Sequence, residues 1–258
     1  MYLRVVEWNV AGHKGKYGKK CTEDYYDFII NQNKSIDVLI LTEYKQSQND
    51  NNEFEKKLNE KYYFEKNNDV LIALNKETWK NIEKCGDCGI FSPNICVVKG
   101  TLKGVSNEIM IIGMRICVPS KTLINRQEQN EDYINRFNQL KQLKNIEFKT
   151  PVILAGDFNN SRYFGEMNDL RLKDGDVYKG LSTQHYNLQK IKDFFYGLGF
   201  EYFNSTPFGN TETVYSFKNR FSYKLDHIFA KDIKVESVWY SEDKYKSDHR
   251  MLISDVMI

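Results

Sequence analysis

Residues 151–160 read PVILAGDFNN. Asp157 and Asn159 stand two apart, so in extended chain they project the same way. An acceptor-only carboxylate beside a neutral amide, at the mouth of a buried strand, suits a site that handles a phosphate and its metal. The combination of an apolar run with a polar group at its end recurs at Asn9 and Glu43. Asp226 and His227 interrupt YKLDHIFA, a run too apolar to hold an unpaired charge cheaply. Asp248 and His249 precede the last apolar run. Each of these groups has an ordinary structural alternative. Asp and Asn are common turn residues, Asp248–His249 can cap a turn, Asp226 can pair with Lys224 or Arg220 on a sheet surface, and Glu43 can be a solvated strand end. Ligands of sheet-based α/β proteins collect where strand ends converge. The repetition of strand-end polar groups makes convergence the better explanation.

The elements that must position these residues follow from apolar patterning. Strands are expected over residues 3–10, 37–42, 70–74, 95–99 and 108–118, with a loop around residues 86–93. Val152 to Ala155 form a short apolar run consistent with a strand buried on both faces, and Gly156 lets the backbone turn or approach something closely. Helices are expected from Thr22 through Ile29, over 52–62, over 126–143 and over 188–198. In the third of these, Tyr133, Ile134, Phe137, Leu140 and Leu143 form the apolar stripe, and Gly199 is placed as a C-terminal stop for the fourth. Residues 213–217 and 223–230 read as a hairpin pair, and 235–240 and 251–257 close the chain as strands. With strands outnumbering helices and helices recurring between them, the chain reads as a mixed α/β domain. No linker, low-complexity tract or repeat divides it, so one domain over 1–258 is expected.

The motifs WN at 8–9, LTE at 41–43, GDFN at 156–159, LDHIF at 225–229 and SDH at 247–249 occur in a telling order. In that order they resemble the endonuclease/exonuclease/phosphatase superfamily, which includes deoxyribonucleases, apurinic endonucleases, inositol phosphatases and neutral sphingomyelinases. The resemblance covers nearly the whole chain. It implies a four-layer α/β/β/α sandwich of two mixed β-sheets flanked by helices, and metal-dependent phosphoester hydrolysis. It implies Glu43, Asp248 and Asn9 around the metal, magnesium or in its place manganese, a hard cation that wants oxygen ligands. His249 is then the base or the phosphate contact, and Asp226 fixes its tautomer. Asp157 positions water or protonates the leaving oxygen, and Asn159 hydrogen-bonds a phosphoryl oxygen. His227 follows Asp226 directly, points to the opposite face of the strand and reads as structural. Where many members carry His or Tyr near the end of the central strand, this chain reads GMRICVPS, and Arg115 is the cation there. Its planar fork suits a phosphate, or it pairs with a carboxylate as a strand residue. A second departure is Ala11, at a position that is acidic in some apurinic endonucleases.

Composition narrows the substrate little. The formal net charge of +2 argues for neither nucleic acid nor membrane, but Lys14, Lys16, Lys19 and Lys20 are clustered in one loop. These lysines, with Arg162 and the basic residues Arg171, Lys218, Arg220 and Lys224, suit a groove that follows a nucleic-acid backbone without reading sequence. Tyr163, Phe164, Phe208 and Tyr215 suit stacking on bases. A nuclease is therefore expected, with a small phosphoester or lipid headgroup as the alternative substrate and a non-catalytic binding module as the third reading. No apolar run approaches the length of a membrane span and no signal peptide is evident, so a cytoplasmic monomer with reduced thiols is expected. The five cysteines include a CxxC at Cys85 and Cys88, but no second pair or nearby His completes a structural zinc site.

Overall fold

The computed structural model describes residues 1–10, 35–44, 51–85, 94–118, 126–160, 186–203, 214–215, 222–223, 225–242, 247 and 249–258. In chain order the elements are β1 (Tyr2–Asn9), β2 (Val38–Thr42), α1 (Asn51–Lys61), β3 (Tyr62–Asn67), β4 (Val70–Asn75), β5 (Trp79–Lys84), β6 (Ile95–Leu102), β7 (Glu108–Arg115), α2 (Arg126–Lys141), one turn of 3-10 helix (Gln142–Asn145), β8 (Val152–Asp157), α3 (Leu188–Tyr196), β9 (Glu201–Tyr202), β10 (Val214–Tyr215), β11 (Ser222–Tyr223), β12 (Asp226–Lys231), β13 (Lys234–Tyr240) and β14 (Leu252–Met257).

The continuous apolar runs become central strands, buried along their length in β2, β4 and β8. One six-stranded sheet has the order β13-β14-β1-β2-β4-β3 and the other β5-β6-β7-β8-β12-β9. Each is mixed in the same way: a parallel pair, β1 with β2 and β7 with β8, is flanked by antiparallel neighbours. Alternation along the strands then divides the side chains. Leu3, Val5, Val38, Ile40, Ile111, Ile153, Ala155 and Ile228 fill the layer between the sheets. Val6, Trp8, Leu39 and Leu41 face outward and pack with Phe54 and Leu58 of α1. Ile112, Val152, Leu154 and Phe229 face outward from the second sheet, against Leu140 of α2 and Ile191 and Phe195 of α3. The fold is thus a four-layer α/β/β/α sandwich.

Local sequence explains the helices. Phe54 and Leu58 lie one turn apart on α1. Leu188, Ile191 and Phe195 give α3 one buried stripe, and its N-cap Asn187 accepts from the Lys190 amide at 2.9 Å. The regular turns of α3 stop at Tyr196, and Gly199, at φ +82°, closes the helix as expected: its amide donates to the Tyr196 carbonyl and the Phe200 amide to the Phe195 carbonyl, both at 3.0 Å. On α2, Ile134 is 46 % exposed and does not join the stripe expected of it, because Tyr133, Phe137 and Leu140 define a face that leaves 134 to one side.

Strands β3, β5 and β9 are absent from the pattern reading. In β5 the alternation is broken by an irregularity between Lys80 and Glu83, where Asn81 takes φ +49°. Of the expected hairpin, the described residues show the pairing of Val214 with Tyr223 and Tyr215 with Ser222. Residues 226–231 instead join the second sheet beside β8, with Asp226 opposite Asp157. The helix expected from Thr22 and the loop at 86–93 lie outside the described residues. Among the described residues no helix is long and apolar enough to cross a membrane.

Gly156 has a steric role that only packing reveals. A Cβ there would lie 1.8 Å from the carbonyl oxygen of Met114 on the neighbouring parallel strand. Gly156→Ala is expected to destabilise the protein by about 3 kcal/mol or more, since backbone itself must move. Gly197→Ala, with helical φ and only ordinary contacts, is expected to be neutral or slightly stabilising. Urea denaturation of both variants checks this, and equal midpoints would refute the packing argument.

Candidate active site

The site is built by period-2 alternation at one end of the sandwich. On β1 the inward positions after Leu3 and Val5 are Glu7 and Asn9. On β2 the series Val38 and Ile40 continues to Thr42, and on β7 Ile109 and Ile111 lead through Gly113 to Arg115. On β8 the series ends in Asp157, and β12, running the other way, begins with Asp226. The parallel pairs point their C-terminal ends the same way and set Asn9 beside Thr42 and Arg115 beside Asp157. Apolar layers thus give way to polar ones at a single edge.

Asp157 is 1 % exposed and is held by two amides. Its Oδ2 accepts from Asn9 Nδ2 at 2.8 Å and from Asn159 Nδ2 at 3.0 Å, and its Oδ1 accepts from the Asn159 amide at 2.9 Å. Asn159 reaches back because its backbone turns through φ +44°, a conformation Asn tolerates better than most residues. The Asn159 amide group also donates to the Ile116 carbonyl at 2.8 Å.

His249 and Asp226 form the second unit. Nδ1 of His249 lies 2.9 Å from Oδ2 of the fully buried Asp226. An ionised carboxylate only accepts, so Nδ1 carries the proton and Nε2 is the nitrogen directed away from Asp226. Ser247 ties this unit to β1: its Oγ donates to the Asn9 carbonyl at 2.6 Å and accepts from the His249 amide at 3.0 Å. Tyr240 donates to the Asp226 carbonyl at 2.7 Å. His227 points to the other face, where its Nε2 meets Asn160 at 2.8 Å.

The third unit is Arg115, whose Nη2 lies 2.9 Å from Glu43 Oε1 and whose Nη1 lies 2.9 Å from Asp69 Oδ2. Glu43 holds φ +52°, an uncommon conformation for a residue of its kind. Burial alone would lower the Arg115 pKa, but the charges of Glu43, Asp157 and Asp69 raise it above its ordinary value.

Pattern reading passed over two acidic residues here. Glu7 is 1 % exposed, and its Oε1 accepts from Thr42 Oγ1 at 3.1 Å. Burial, then the charges of Asp226 and Asp157, push its pKa well up. Its place in LRVVEWNV, on the inward face two before Asn9, is the signal that could have found it. Asp69 had no such signal, since its pairing with Arg115 is between distant segments.

Oxygen atoms of Asp157 and Asp226 and a ring nitrogen of His249 all lie within 4.8 Å of one another, a group geometrically consistent with a divalent metal site. The chemistry of the donors fits a hard cation. The buried Oδ1 of Asp226, which has no hydrogen-bond partner among the described residues, is a further oxygen at this place. A carboxylate behind a ligating His is also a common arrangement around metals. Of the residues implied to hold the metal, Asn9 donates to Asp157 and Glu43 sits on Arg115, while Asp248 lies outside the described residues. Lys14, Lys16 and Arg162 also lie outside them, as does Cys88 of the CxxC.

Burial and the charge of Asp226 raise the Asp157 pKa from 3.8 to about 7, against the opposing charges of His249 and Arg115. The folded state therefore keeps a proton that the unfolded chain loses first as pH rises. Stability from this group is present below pH 3.8 and lost as pH climbs to about 7. Relative to wild type, Asp157→Asn should thus gain stability as pH rises across that interval when divalent cations are chelated. Urea denaturation of both proteins at several pH values measures the difference, and a constant difference would show that Asp157 ionises freely.

The chain matches the model described as the endonuclease/exonuclease/phosphatase family over residues 6–249. No curated protein sequence matches it. Among solved structures it is similar to D. rerio TDP2 complexed with single strand DNA product, at 16 % identity and TM-score 0.61, covering 100 % of this chain and 99 % of that one. It is also similar to ANGEL2, described as a 2′,3′-cyclic phosphatase in complex with adenosine-2′,3′-vanadate, at 14 % identity and TM-score 0.62, covering 99 % and 95 % of the two chains. The endonuclease domain of TRAS1, a telomere-specific non-LTR retrotransposon, gives 15 % identity, TM-score 0.59 and 99 % coverage of both. At such identities these likenesses concern the fold, whereas the family match spans the very strands whose ends build the site. The chain belongs to the endonuclease/exonuclease/phosphatase family.

Proposed function

We propose that this protein is a magnesium- or manganese-dependent phosphodiesterase that hydrolyses nucleic acid. The observation that carries the hydrolase reading is the buried 2.9 Å contact between Asp226 and His249, standing beside a carboxylate held by two amides. Family membership supports the same chemistry. In this reading Asp226 keeps the His249 ring oriented, and Nε2 takes a proton from the attacking water. The water oxygen bonds to phosphorus as the bond from phosphorus to the leaving oxygen breaks. Asp157, with its pKa near 7, gives its proton to that leaving oxygen. Arg115 holds phosphoryl oxygens, and Asn159, whose two side-chain N–H groups serve Asp157 and the Ile116 carbonyl, positions Asp157 instead of touching the phosphate. Glu43, Asp248 and Asn9, with Oδ1 of Asp226, would hold the cation, which when bound would neutralise charge building on the phosphate, while His249 Nε2 and Asp157 stay off it for proton transfer.

Nucleic acid is favoured by the basic residues Lys14, Lys16 and Arg162. It is favoured also by the likeness to structures described as a complex with single-strand DNA product and as an endonuclease domain. The second reading, a phosphatase or phosphodiesterase on a small phosphoester, is favoured by the likeness to a 2′,3′-cyclic phosphatase.

Plasmid nicking, single-strand degradation and hydrolysis of adenosine 2′,3′-cyclic phosphate, each with magnesium or with chelator, separate these readings. His249→Ala is expected to lower turnover by about 10²–10⁴-fold. Asp226→Asn should fall in the same range, with an altered pH profile because the ring loses its fixed tautomer. Turnover of none of the three substrates by well-folded wild type would leave only a binding module. Cleavage of the cyclic nucleotide alone would select the small-phosphoester reading.

A further inference from the structure

Arg115 occupies the last inward position of β7 and is 8 % exposed. Both carboxylates that it meets belong to the other sheet: Glu43 directly follows β2 and Asp69 directly precedes β4. The two acidic segments are themselves joined, since the Tyr44 amide donates to the Asp69 carbonyl at 2.9 Å. A guanidinium has two useful edges, one formed by Nη1 and Nη2 and one by Nε and Nη2. Here Nη1 is committed to Asp69 and Nη2 to Glu43, while Nε is buried and has no hydrogen-bond partner among the described residues. The edge that suits bidentate recognition of a phosphate is therefore half used, and the half in use rests on a residue in the proposed cation-binding set. A divalent cation and a guanidinium compete for the same carboxylate oxygen.

We propose that Arg115 is an exchangeable counter-cation anchored by Asp69. Nη1 stays on Asp69, and when a divalent cation takes Glu43 the Nε/Nη2 edge turns to two oxygens of the substrate phosphate. Asp69 is a positioning residue that acts through Arg115. The inference rests on the metal-dependent reading of the site and adds to it an ordered handover, in which the cation prepares the phosphate contact.

Calorimetric titration of the whole chain with Mn²⁺, and then with inorganic phosphate at saturating Mn²⁺, tests this. Arg115→Gln frees Glu43 and should bind Mn²⁺ about tenfold tighter while losing about tenfold or more in phosphate affinity. Asp69→Asn leaves Arg115 with one carboxylate to grip, so Mn²⁺ should bind several-fold more weakly, and phosphate too, since the fork loses its anchor. Arg115→Lys keeps a cation without the fork. It should leave Mn²⁺ affinity near wild type and weaken phosphate, which keeps the test open if Arg115→Gln does not fold. The opposite signs for Mn²⁺ distinguish exchange from a plain structural clamp. Weaker Mn²⁺ binding in both Arg115→Gln and Asp69→Asn, with circular dichroism unchanged, would overturn the handover and leave the metal-dependent reading standing. Absence of Mn²⁺ binding by wild type would overturn that reading and the handover together.

Discussion

At one end of the sandwich the two sheets are joined by charged and amide groups. Asn9 reaches across to Asp157, His249 to Asp226, Arg115 to Glu43 and Asp69, and Tyr240 to the Asp226 carbonyl. Over the rest of the interface Val, Ile and Leu side chains do this work without direction, each burial stabilising by about 1.5–3 kcal/mol. Polar bridges are different. A buried carboxylate without a partner is costly, so each must be matched in position and in charge. Glu7, Asp157 and Asp226 lie together in this layer, and their mutual repulsion with burial raises the affinity of Glu7 and Asp157 for protons. The layer is stable only while protons, amides, Arg115, His249 or an added cation offset that charge. The same imbalance is a capacity for chemistry.

The backbone accepts this arrangement through local compromises at the same edge. Gly156 lets β8 approach β7 closely enough that no side chain fits between them. Asn159 and Glu43, directly beyond two central strands, take positive φ. Such conformations persist where surrounding contacts over-determine them. Here those contacts are the hydrogen bonds of Asn159 to Asp157 and Ile116, and the ion pair of Glu43 with Arg115. The ion pair also sets a cationic side chain at this edge, placed by a strand from the opposite sheet.

Away from this edge the sandwich is ordinary. Both sheets cover their outer faces with helices whose apolar stripes are short, Phe54 and Leu58 on α1 and Leu188, Ile191 and Phe195 on α3. Aromatic packing fills the layer beneath α3, where Phe195 stacks on Phe229 with centroids 4.1 Å apart and Phe158 packs edge-on against Phe195. Phe158 directly follows Asp157, so the residue that anchors the outer layer also fixes the strand end carrying the carboxylate.

Much of the fold could be read from the chain alone, because continuous apolar runs such as VLILT and VILA have few other uses. The motif residues could likewise be named: Asn9, Asp157 and Asn159 stand where such runs stop, while Asp226 and His249 stand ahead of the later runs, in motifs that resemble those of the family. Strands of mixed character escaped: WKNIEK carries its alternation through an irregularity at Asn81, and YYFEKN and EY are edge pieces without a clear period. Hydrophobic patterning specifies which face of a strand is inward, and that is a local property. It does not specify which inward side chains of distant segments meet. The partnership of Arg115 with Glu43 and Asp69, the buried place of Glu7 and the steric need for Gly156 depend on sheet order and on the approach of two sheets. Long-range packing alone sets those distances, so only the tertiary structure decided them.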